Sequence, residues 1–281
     1  MLSLSNEYHT QWSSLGVDGT RPVATQGTSV TPGGTNTYGA YASLGVPSAT
    51  DDMYEIELNT QTVNVAAENR MVMVMVGVDP AGGTAFVDTW KDIFVGGATN
   101  AFTTNQHQTI RLPFMVRAGS SLGVKAASLN ATVTAIKAWI NTVGKPRSRE
   151  LIRVGKFVRT FGVTSPTVAG VAITPGTTLE GAYAEIGTLA DPLWYFDFGM
   201  VVDDTTITAA VLVVDIALGD ATNKRVIISN ALVWTTAGES VFKGSTGAWA
   251  NGASSDKIYA RAQSNTTLDT GYSIAVYGVG G

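Results

Sequence analysis

The feature that most constrains this fold is an internal repeat. The letters VTPG at residues 30–33 lead to GAY at 39–41, and ITPG at 173–176 leads in the same way to GAY at 181–183. Self-similarity of this kind indicates a structural unit that occurs twice, so the sequence predicts two related domains in tandem.

The rest of each copy extends the match. An apolar run closed by Asp and Gly follows at 71–78 in the first copy and at 209–218 in the second. The letters KAAS at 125–128 are echoed by RAQS at 261–264, and an alternating segment then closes each copy. The repeat therefore spans whole domains and not only one turn.

Length and composition indicate the fold class. The 281 residues suffice for two domains of about 100–150 residues, each with its own core. Charged residues make up only 14%, and Gly, Ala, Val, Thr and Ser dominate, which suits sheets joined by tight turns. No segment keeps a helical apolar period for three turns, and strand signals recur about eight times per domain. We therefore expect an all-β fold of two tandem jelly-roll-like antiparallel β-sandwich domains with an extended N-terminal arm.

The domain boundaries follow from the repeat. Residues 1–29 are polar and lack sustained periodicity, which predicts an extended N-terminal arm, either disordered or ordered against another chain. The first jelly-roll domain is expected at 30–143, a basic linker or first strand at 144–160, and the second jelly-roll domain at 161–281.

One apolar run has a particular consequence. Residues 71–76 read MVMVMV, which does not alternate in polarity, so both faces of the strand should be dry. One face would pack in the domain core. The other would lie against a second sheet, a neighbouring domain or a partner, because an exposed run of this kind invites aggregation.

Charge and residue counts exclude several classes of function. The net charge of −4 argues against nucleic acid, and the absence of cysteine excludes disulfides and thiolate metal sites. The longest apolar runs are about half the length of a membrane-spanning helix, so we expect a soluble chain without membrane insertion. The N-terminal residues lack the pattern of a cleaved signal peptide. The low charge fits either a β-protein with Thr, Ser and Asn on its outer faces or a subunit largely covered by partners.

The search for chemistry yields no convincing site. His9 and His107 are the only histidines, and neither has a partner at metal-ligand spacing. The pairs at 51–52 and 203–204 are both Asp-Asp, which suits a Ca²⁺ site or a glycosidase pair. Their equivalent positions in the two copies favour a shared turn role instead. We expect no cofactor, no metal and no enzymatic activity.

Five residues are the candidate partner or ligand contacts. Tyr8 and Trp12 are anchors for the arm. Arg147 and Arg149 belong to a cluster between 145 and 159 with six of the eighteen basic residues, which suits either phosphate binding or a partly exposed strand or linker touching an acidic neighbour. Trp249 lies in a segment that reads as a loop, where its ring is available to a ligand.

The end of the second copy resembles a module of tailed-phage virion proteins. Residues 253–264 read ASSDKIYARAQS, and 274–279 read IAVYGV. In that module a Gly/Ser turn leads into a strand of the form Ile-x-Ala-Arg-x-Gln-Ser, and a final strand closes on Gly-Val. The first copy keeps a degraded form, with Lys125, Ala127 and Trp139 in place of Arg, Gln and Gly. The resemblance covers both domains but not the arm. It implies a tandem jelly-roll component of a phage particle and carries over no catalytic residue.

These observations predict a non-enzymatic structural component of a bacteriophage virion. The leading hypothesis is a tail-associated fibre, adaptor or receptor-binding component, assembled as a homo-oligomer that is a trimer or higher. One alternative is a capsid decoration or cement protein, and another is a carbohydrate-binding module. The expected partners are other virion proteins and, as a candidate, a host surface glycan. The expected location is the virion, assembled in the host cytoplasm.

Overall fold

The structure is a computed structural model that describes residues 12–17, 27–62, 72–96, 106–128, 136–144, 154–165, 170–202, 210–235, 242–243, 247–265 and 272–281. All of the regular structure in these ranges is β-strand. Within them no helix is long and apolar enough to cross a membrane.

The strands fall into two consecutive sets. The first set is β1 (Trp12–Leu15), β2 (Thr28–Val30), β3 (Ala42–Gly45), β4 (Met53–Thr62), β5 (Val72–Asp79), β6 (Val87–Gly96), β7 (Gln106–Leu112), β8 (Ser121–Ser128) and β9 (Ile136–Gly144). The second set is β10 (Phe157–Phe161), β11 (Val171–Ile173), β12 (Ala184–Thr188), β13 (Leu193–Val202), β14 (Ala210–Gly219), β15 (Lys224–Thr235), β16 (Phe242–Lys243), β17 (Ala248–Gly252), β18 (Lys257–Ser264) and β19 (Tyr272–Gly280).

These strands form three sheets. The first outer sheet has the order β1-β9-β4-β7, with β2 also on β9. The central sheet is ten-stranded in the order β16-β13-β19-β10-β6-β5-β8-β3, with β11 on β19 and β17 on β13. The second outer sheet has the order β12-β18-β14-β15. Nearly all neighbouring strands are antiparallel, and the two sandwiches that result are jelly-roll-like.

The two sets of strands repeat the same connections. β1 and β2 pair with β9 as β10 and β11 pair with β19, and β3 pairs with β8 as β12 pairs with β18. β5 lies between β8 and β6 as β14 lies between β18 and β15. The repeat in the sequence is therefore a repeat of topology, and the predicted all-β tandem of sandwiches is confirmed.

The described part of residues 1–29 differs from a free arm. Trp12 lies opposite Val143 and Leu15 opposite Ile140, so β1 is a strand of the first outer sheet. Leu15 also packs in the core of the first sandwich. This segment is therefore ordered against its own chain, through the pairing of four residues with β9 and the burial of Leu15. The segment is too short to show the periodicity from which a strand is predicted.

The apolar run behaves as its sequence indicates. Every residue of β5 except Val78, which is half-buried, is buried. Val72, Val74 and Val76 pack in the first core, and on the other face the ring of Tyr41 lies over Gly77, where a Cβ would come within 2.8 Å of it. At Gly77 the second face is therefore covered by Tyr41 of the repeated turn of the same copy, which was not among the covers expected from the sequence.

β10 joins the two sandwiches. It pairs antiparallel with β19 over five residues and touches β6 in parallel at one position, Val158 opposite Trp90. Val158 is buried in the first core although it belongs to the second set of strands. Because of this strand the central sheet runs through both sandwiches without interruption.

β19 supplies side chains to both cores. Ala275, Tyr277 and Val279 pack in the first core, whereas Ile274 and Val276 pack in the second. Successive side chains of a strand point to opposite faces, so the two outer sheets lie on opposite sides of the central sheet. The two sandwiches therefore stand side by side and share a strand instead of meeting end to end.

The repeated turn depends on a close approach of backbone to backbone. Gly39 N–H donates to the carbonyl of Ala126 at 2.9 Å, and Gly181 N–H donates to the carbonyl of Ala262 at 2.8 Å. A Cβ at either glycine would overlap a backbone carbonyl oxygen, that of Thr31 in the first copy and that of Thr174 in the second. The GAY letters recur because only glycine fits at this point.

In the first copy the side chain of Lys125, on the outward face of β8, lies beside this turn. Lys125 Nζ bonds to Asp88 Oδ1 at 2.8 Å and lies 4.7 Å from the centre of the Tyr41 ring. The Tyr41 hydroxyl donates to the same carboxylate oxygen at 2.5 Å. Burial raises the pKa of the Asp88 carboxyl, but the hydrogen bonds from Lys125 and Tyr41 outweigh it, so the pKa lies below its ordinary value.

The second copy places a different cation at the equivalent point of β18. Arg261 donates to Asp215 Oδ2 from Nε at 3.0 Å and from Nη2 at 2.8 Å, and its guanidinium lies 4.6 Å from the centre of the Tyr183 ring. The Asn230 N–H donates to Asp215 Oδ1 at 2.8 Å. Asn230 lies in a bulge of β15 and has a φ of 53°, in the left-handed region. The Asp215 carboxylate therefore also stabilises the backbone of this bulge.

Candidate binding cleft between the two sandwiches

An open cleft of about 300 Å³ lies where strands of both sandwiches meet. Strands β4 and β7 of the first sandwich and β13 and β17 of the second supply its walls. The lining residues are Glu55, Arg111, Leu112, Pro113, Tyr195, Asp197, Gly247 and Trp249. We call this the interdomain cleft.

β13 directs Tyr195 and Asp197 to the cleft by strand alternation. Phe196 and Phe198 are fully buried in the second core. Tyr195 and Asp197, which alternate with them, therefore face the other side of the central sheet, where Tyr195 packs against the first core. Burial of the two phenylalanines stabilises the fold by about 1.5–3 kcal/mol each and thereby fixes the orientation of the polar residues that alternate with them.

Trp249 lies on an edge strand and not in a loop, so its predicted local structure is wrong. Trp249 pairs with Tyr195 across β13 and β17, and the flanking pair joins Phe196 to Ala248. The segment is rich in Gly and Ala, which lowers strand propensity, and its pairing with β13 overrides that preference. The expectation of an accessible ring is met, since Trp249 is 55% exposed.

The aromatic pair in the cleft has a fixed geometry. The ring centres of Tyr195 and Trp249 are 5.2 Å apart, and the planes meet at 70°, an edge-to-face arrangement. Gly247 allows this contact, because a Cβ there would collide with the Tyr195 hydroxyl. The indole is thus presented on a strand and supported by the Tyr195 ring.

The opposite wall carries an ion pair between Arg111 Nε and Glu55 Oε1. The Arg111 side chain is 50% exposed and that of Glu55 is 32% exposed, so water reaches both groups. An exposed pair of this kind contributes little to stability, about 0–1 kcal/mol. Its donors and acceptors are available to a molecule that enters the cleft.

Two further polar groups lie deeper. Asp197 is almost fully buried, and its Oδ1 accepts a hydrogen bond from the Phe198 N–H at 2.9 Å. Burial raises the pKa of the Tyr195 phenol to about 12, with smaller contributions from the Asp197 and Glu55 carboxylates that outweigh the opposing effect of Arg111. Tyr195 therefore keeps its proton near neutral pH and acts there as a neutral hydroxyl.

The cleft includes one of the five candidate contacts, Trp249. Trp12 begins β1, where it pairs with Val143 of β9. Tyr8, Arg147 and Arg149 lie outside the described residues. The basic cluster is visible only at its end, where Arg159 bonds to Asp191 at 3.4 Å and lies over the Phe157 ring.

Sequence reasoning missed four of the cleft residues, which are Glu55, Arg111, Tyr195 and Asp197. They come from strands far apart in the chain, and none belongs to a motif. Glu55 lies on β4, but nothing in the sequence indicated which part of the second sandwich lies beside that strand.

The other candidate chemistry has structural explanations where it is described. Asp52 Oδ1 accepts a hydrogen bond from the Ala118 N–H at 2.8 Å, and Ser48 Oγ accepts one from the Asp51 N–H at 3.0 Å, as expected of turn residues. The pair at 203–204 and His9 lie outside the described residues, and His107 belongs to β7. Within the described ranges no three His, Asp or Glu side chains gather around a common point.

Comparison with known proteins gives only distant structural likeness. No family model and no curated protein matches the chain. PNGase F of Flavobacterium meningosepticum, a glycosylasparaginase, is 11% identical with a TM-score of 0.37 and 96% of each chain covered. The tandem CBM22-1–CBM22-2 domain of Paenibacillus barcinonensis Xyn10C is 12% identical with a TM-score of 0.26, over 96% of this chain and 91% of that one.

A viral chain is similarly distant. A chain of the cryo-EM structure of Broad Bean Stain Virus is 9% identical with a TM-score of 0.31, and 94% of each chain is covered. Structural neighbours of the chain thus include proteins of virus particles and a tandem carbohydrate-binding module. At such low scores and identities, these likenesses place the chain in no family.

Proposed function

We propose that this chain is a non-enzymatic structural component of a bacteriophage particle, tail-associated as a fibre, adaptor or receptor-binding component. The observation that supports it most is the segment 253–264, which resembles a module of phage virion proteins. In the fold this segment forms the turn at Ser255 and strand β18, between β12 and β14. Ala262 and Ser264 of β18 bond to the repeated turn at Gly176. The resemblance therefore falls on residues that build the sandwich.

The union of the two sandwiches also favours a structural role. The central sheet continues through both halves, and β19 belongs to both cores. Two domains joined in this way move as one body, because a relative rotation would break main-chain hydrogen bonds of β10 and β19. A subunit that transmits load or holds a fixed angle in a particle needs such stiffness.

The outer face of the second outer sheet is the surface that we assign to self-association. Leu232 and Val226 lie on β15, the last strand of that sheet, and are 49% and 39% exposed. Their partners Val213 and Ala217 alternate with the core residues of β14, so both side chains point away from the second core. Exposed apolar side chains on an edge strand favour contact with another subunit.

Light scattering of the purified full chain tests the oligomer. We expect a trimer or higher assembly that Leu232→Lys converts to a monomer, because a buried ammonium opposes the apolar contact. The matched control is Val87→Lys, since Val87 is 63% exposed but lies on β6. A wild-type chain that stays monomeric at high concentration contradicts this part of the proposal.

Immunogold labelling of phage particles tests the location. Antibodies against the purified chain should label the tail. Label spread over the head would identify a decoration protein instead, and particles without label would overturn the virion proposal. A decoration protein should further lose capsid binding when residues 1–11 are removed. Removal of residues 1–29 is not a clean test, because it takes away β1 and most of β2.

A further inference from the structure

We propose that the interdomain cleft is a binding site for a neutral, hydroxyl-rich sugar ring. The inference does not depend on the virion role. In a receptor-binding component it would name the chemical class of the receptor.

The aromatic wall of the cleft is suited to one face of a sugar ring. Among the exposed large apolar residues of the described chain, Trp249 is the one aromatic residue. An indole combines a broad apolar surface with one polar N–H, which suits ligands that are apolar on one face and polar at the rim. The C–H groups on one face of a pyranose ring form such a surface.

The indole is held in place before any ligand arrives. Trp249 is paired in register with Tyr195, and the Tyr195 ring supports it edge to face at 5.2 Å between ring centres. A platform fixed by main-chain pairing loses little conformational entropy when it binds. A side chain on a mobile loop would lack this advantage.

The opposite wall offers hydrogen-bond groups that match vicinal hydroxyls. Glu55 presents carboxylate oxygens that accept, Arg111 presents several N–H groups that donate, and Tyr195 presents a hydroxyl that does both. Adjacent sugar hydroxyls likewise donate and accept, so they can bond to a carboxylate and a guanidinium at once. The Glu55–Arg111 ion pair keeps both groups oriented when the cleft is empty.

The charge of the cleft selects among sugars. Glu55 and Asp197 contribute two carboxylates, and Arg111 contributes one guanidinium, so the lining carries a net negative charge. Such a lining repels phosphate, sialic acid and uronic acid groups. It therefore favours a neutral ring and disfavours a nucleotide.

The volume of the cleft limits the length of the ligand. Ligand pockets span about 300–1,000 Å³, and this cleft, at about 300 Å³, is at the small end of that range. It accommodates one or two rings, with the rest of a glycan in solvent. A flexible peptide would need a longer groove to place several side chains.

The test uses the full chain and two readouts. A glycan array should carry neutral oligosaccharides beside matched glycans with sialic or uronic acid, and the methyl glycosides of glucose, galactose and N-acetylglucosamine should be tried by saturation-transfer NMR. We expect binding to neutral glycans and none to their acidic counterparts. Array binding confined to acidic glycans, or no binding in either assay at millimolar sugar, would overturn the inference.

Variants connect the binding to the cleft. Trp249→Ala should weaken binding at least tenfold, Trp249→Phe should keep part of it, and Glu55→Gln should weaken it severalfold with little effect on folding. Leu179→Ala is the matched control, because Leu179 is 75% exposed and lies outside the cleft. Equal affinity in Trp249→Ala and wild type, with both chains folded by circular dichroism, would show that the sugar binds elsewhere. Particle labelling uses a different readout, so the two proposals can fail separately.

Discussion

In the two copies the same turn packs against equivalent strands, β8 and β18, but different side chains stabilise it. In the first copy a lysine bonds to a carboxylate from β6, one strand beyond its neighbour β5. In the second an arginine bonds to a carboxylate directly opposite on β14. The position equivalent to Asp215 in the first copy is Met75, opposite Lys125. The duplication therefore preserved the backbone geometry of the turn and the positive charge, whereas the source of the negative charge diverged.

The largest effect should come from the glycines that the copies share. Gly39→Ala and Gly181→Ala should each lower the free energy of unfolding by about 3 kcal/mol, because the methyl group would overlap a carbonyl oxygen that cannot move without breaking the turn. Chemical denaturation measures this effect. The matched control is Gly34→Ala, where the nearest atom is the Thr37 hydroxyl at 3.3 Å and only a small change is expected. Full stability of one variant but not the other would show that the turns are not equivalent.

The acidic partners should separate the copies. Asp215→Ala should cost about 2 kcal/mol, because the carboxylate is only 5% exposed and serves both Arg261 and the bulge at Asn230. The cost stays below that of a fully buried pair since water still reaches the guanidinium. Asp88→Ala should cost about 1 kcal/mol, because its side chain is 31% exposed. Thermal unfolding compares the two variants, and the reverse order would contradict this comparison.

An exchange of cations should have a smaller effect. Arg261→Lys should lower stability by about 1 kcal/mol, because one ammonium cannot reproduce the two bonds that Nε and Nη2 donate together to Asp215 Oδ2. Lys125→Arg in the first copy should change stability by less, since Asp88 already receives the Tyr41 hydroxyl. The denaturant midpoints of the two variants test this order. A loss of stability in Lys125→Arg that exceeds the loss in Arg261→Lys would contradict the prediction.

The smallest effect concerns acid stability at the turns after β5 and β14. The Asn223 N–H, with Thr222, lowers the pKa of Asp220 to about 2, and the N–H groups of Ala81 and Ala85 lower the pKa of Asp79. A lowered pKa means that the folded state favours the charged form. The contribution is therefore present above about pH 4 and is lost as the pH falls through the folded pKa.

Melting temperatures across this acid range check the effect. The melting temperatures of Asp220→Asn and Asp79→Asn should each fall less steeply than that of wild type between about pH 4 and pH 2. Asp256→Asn is a useful comparison, because that carboxylate accepts a single backbone hydrogen bond from Ala253. Identical slopes in Asp220→Asn and wild type would contradict the proposed role of the Asp220 turn.

Sequence periodicity and the repeat were enough to predict the fold class and the tandem arrangement. The alternation in β9 appears as buried Ile136, Ala138 and Ile140, and the unbroken run of β5 appears as a strand covered on both faces. These features are local, so a single strand carries the whole signal. The glycines of the repeated turn were predictable for the same reason, because each makes a close contact within its own copy.

The interdomain cleft was not predictable in the same way. Glu55 and Tyr195 are 140 positions apart in the chain and face each other only because β10 places the second sandwich beside β6. The pairing that converts the segment around Trp249 into a strand is likewise supplied by β13. The acidic partners of Lys125 and Arg261 also left no repeat in the sequence, since they sit on non-equivalent strands.

The shared strand has a consequence for how the chain is made. A ribosome delivers every strand of the first sandwich before it delivers β19, yet Tyr277 and Val279 of β19 fill part of the first core. Domains usually complete their folding in the order of synthesis. Here the earlier domain stays open along one side until the later domain has been translated, so a nascent chain stalled ahead of β19 should expose apolar surface to chaperones. The cores of the two sandwiches should therefore be completed in the same step, when β19 enters the central sheet.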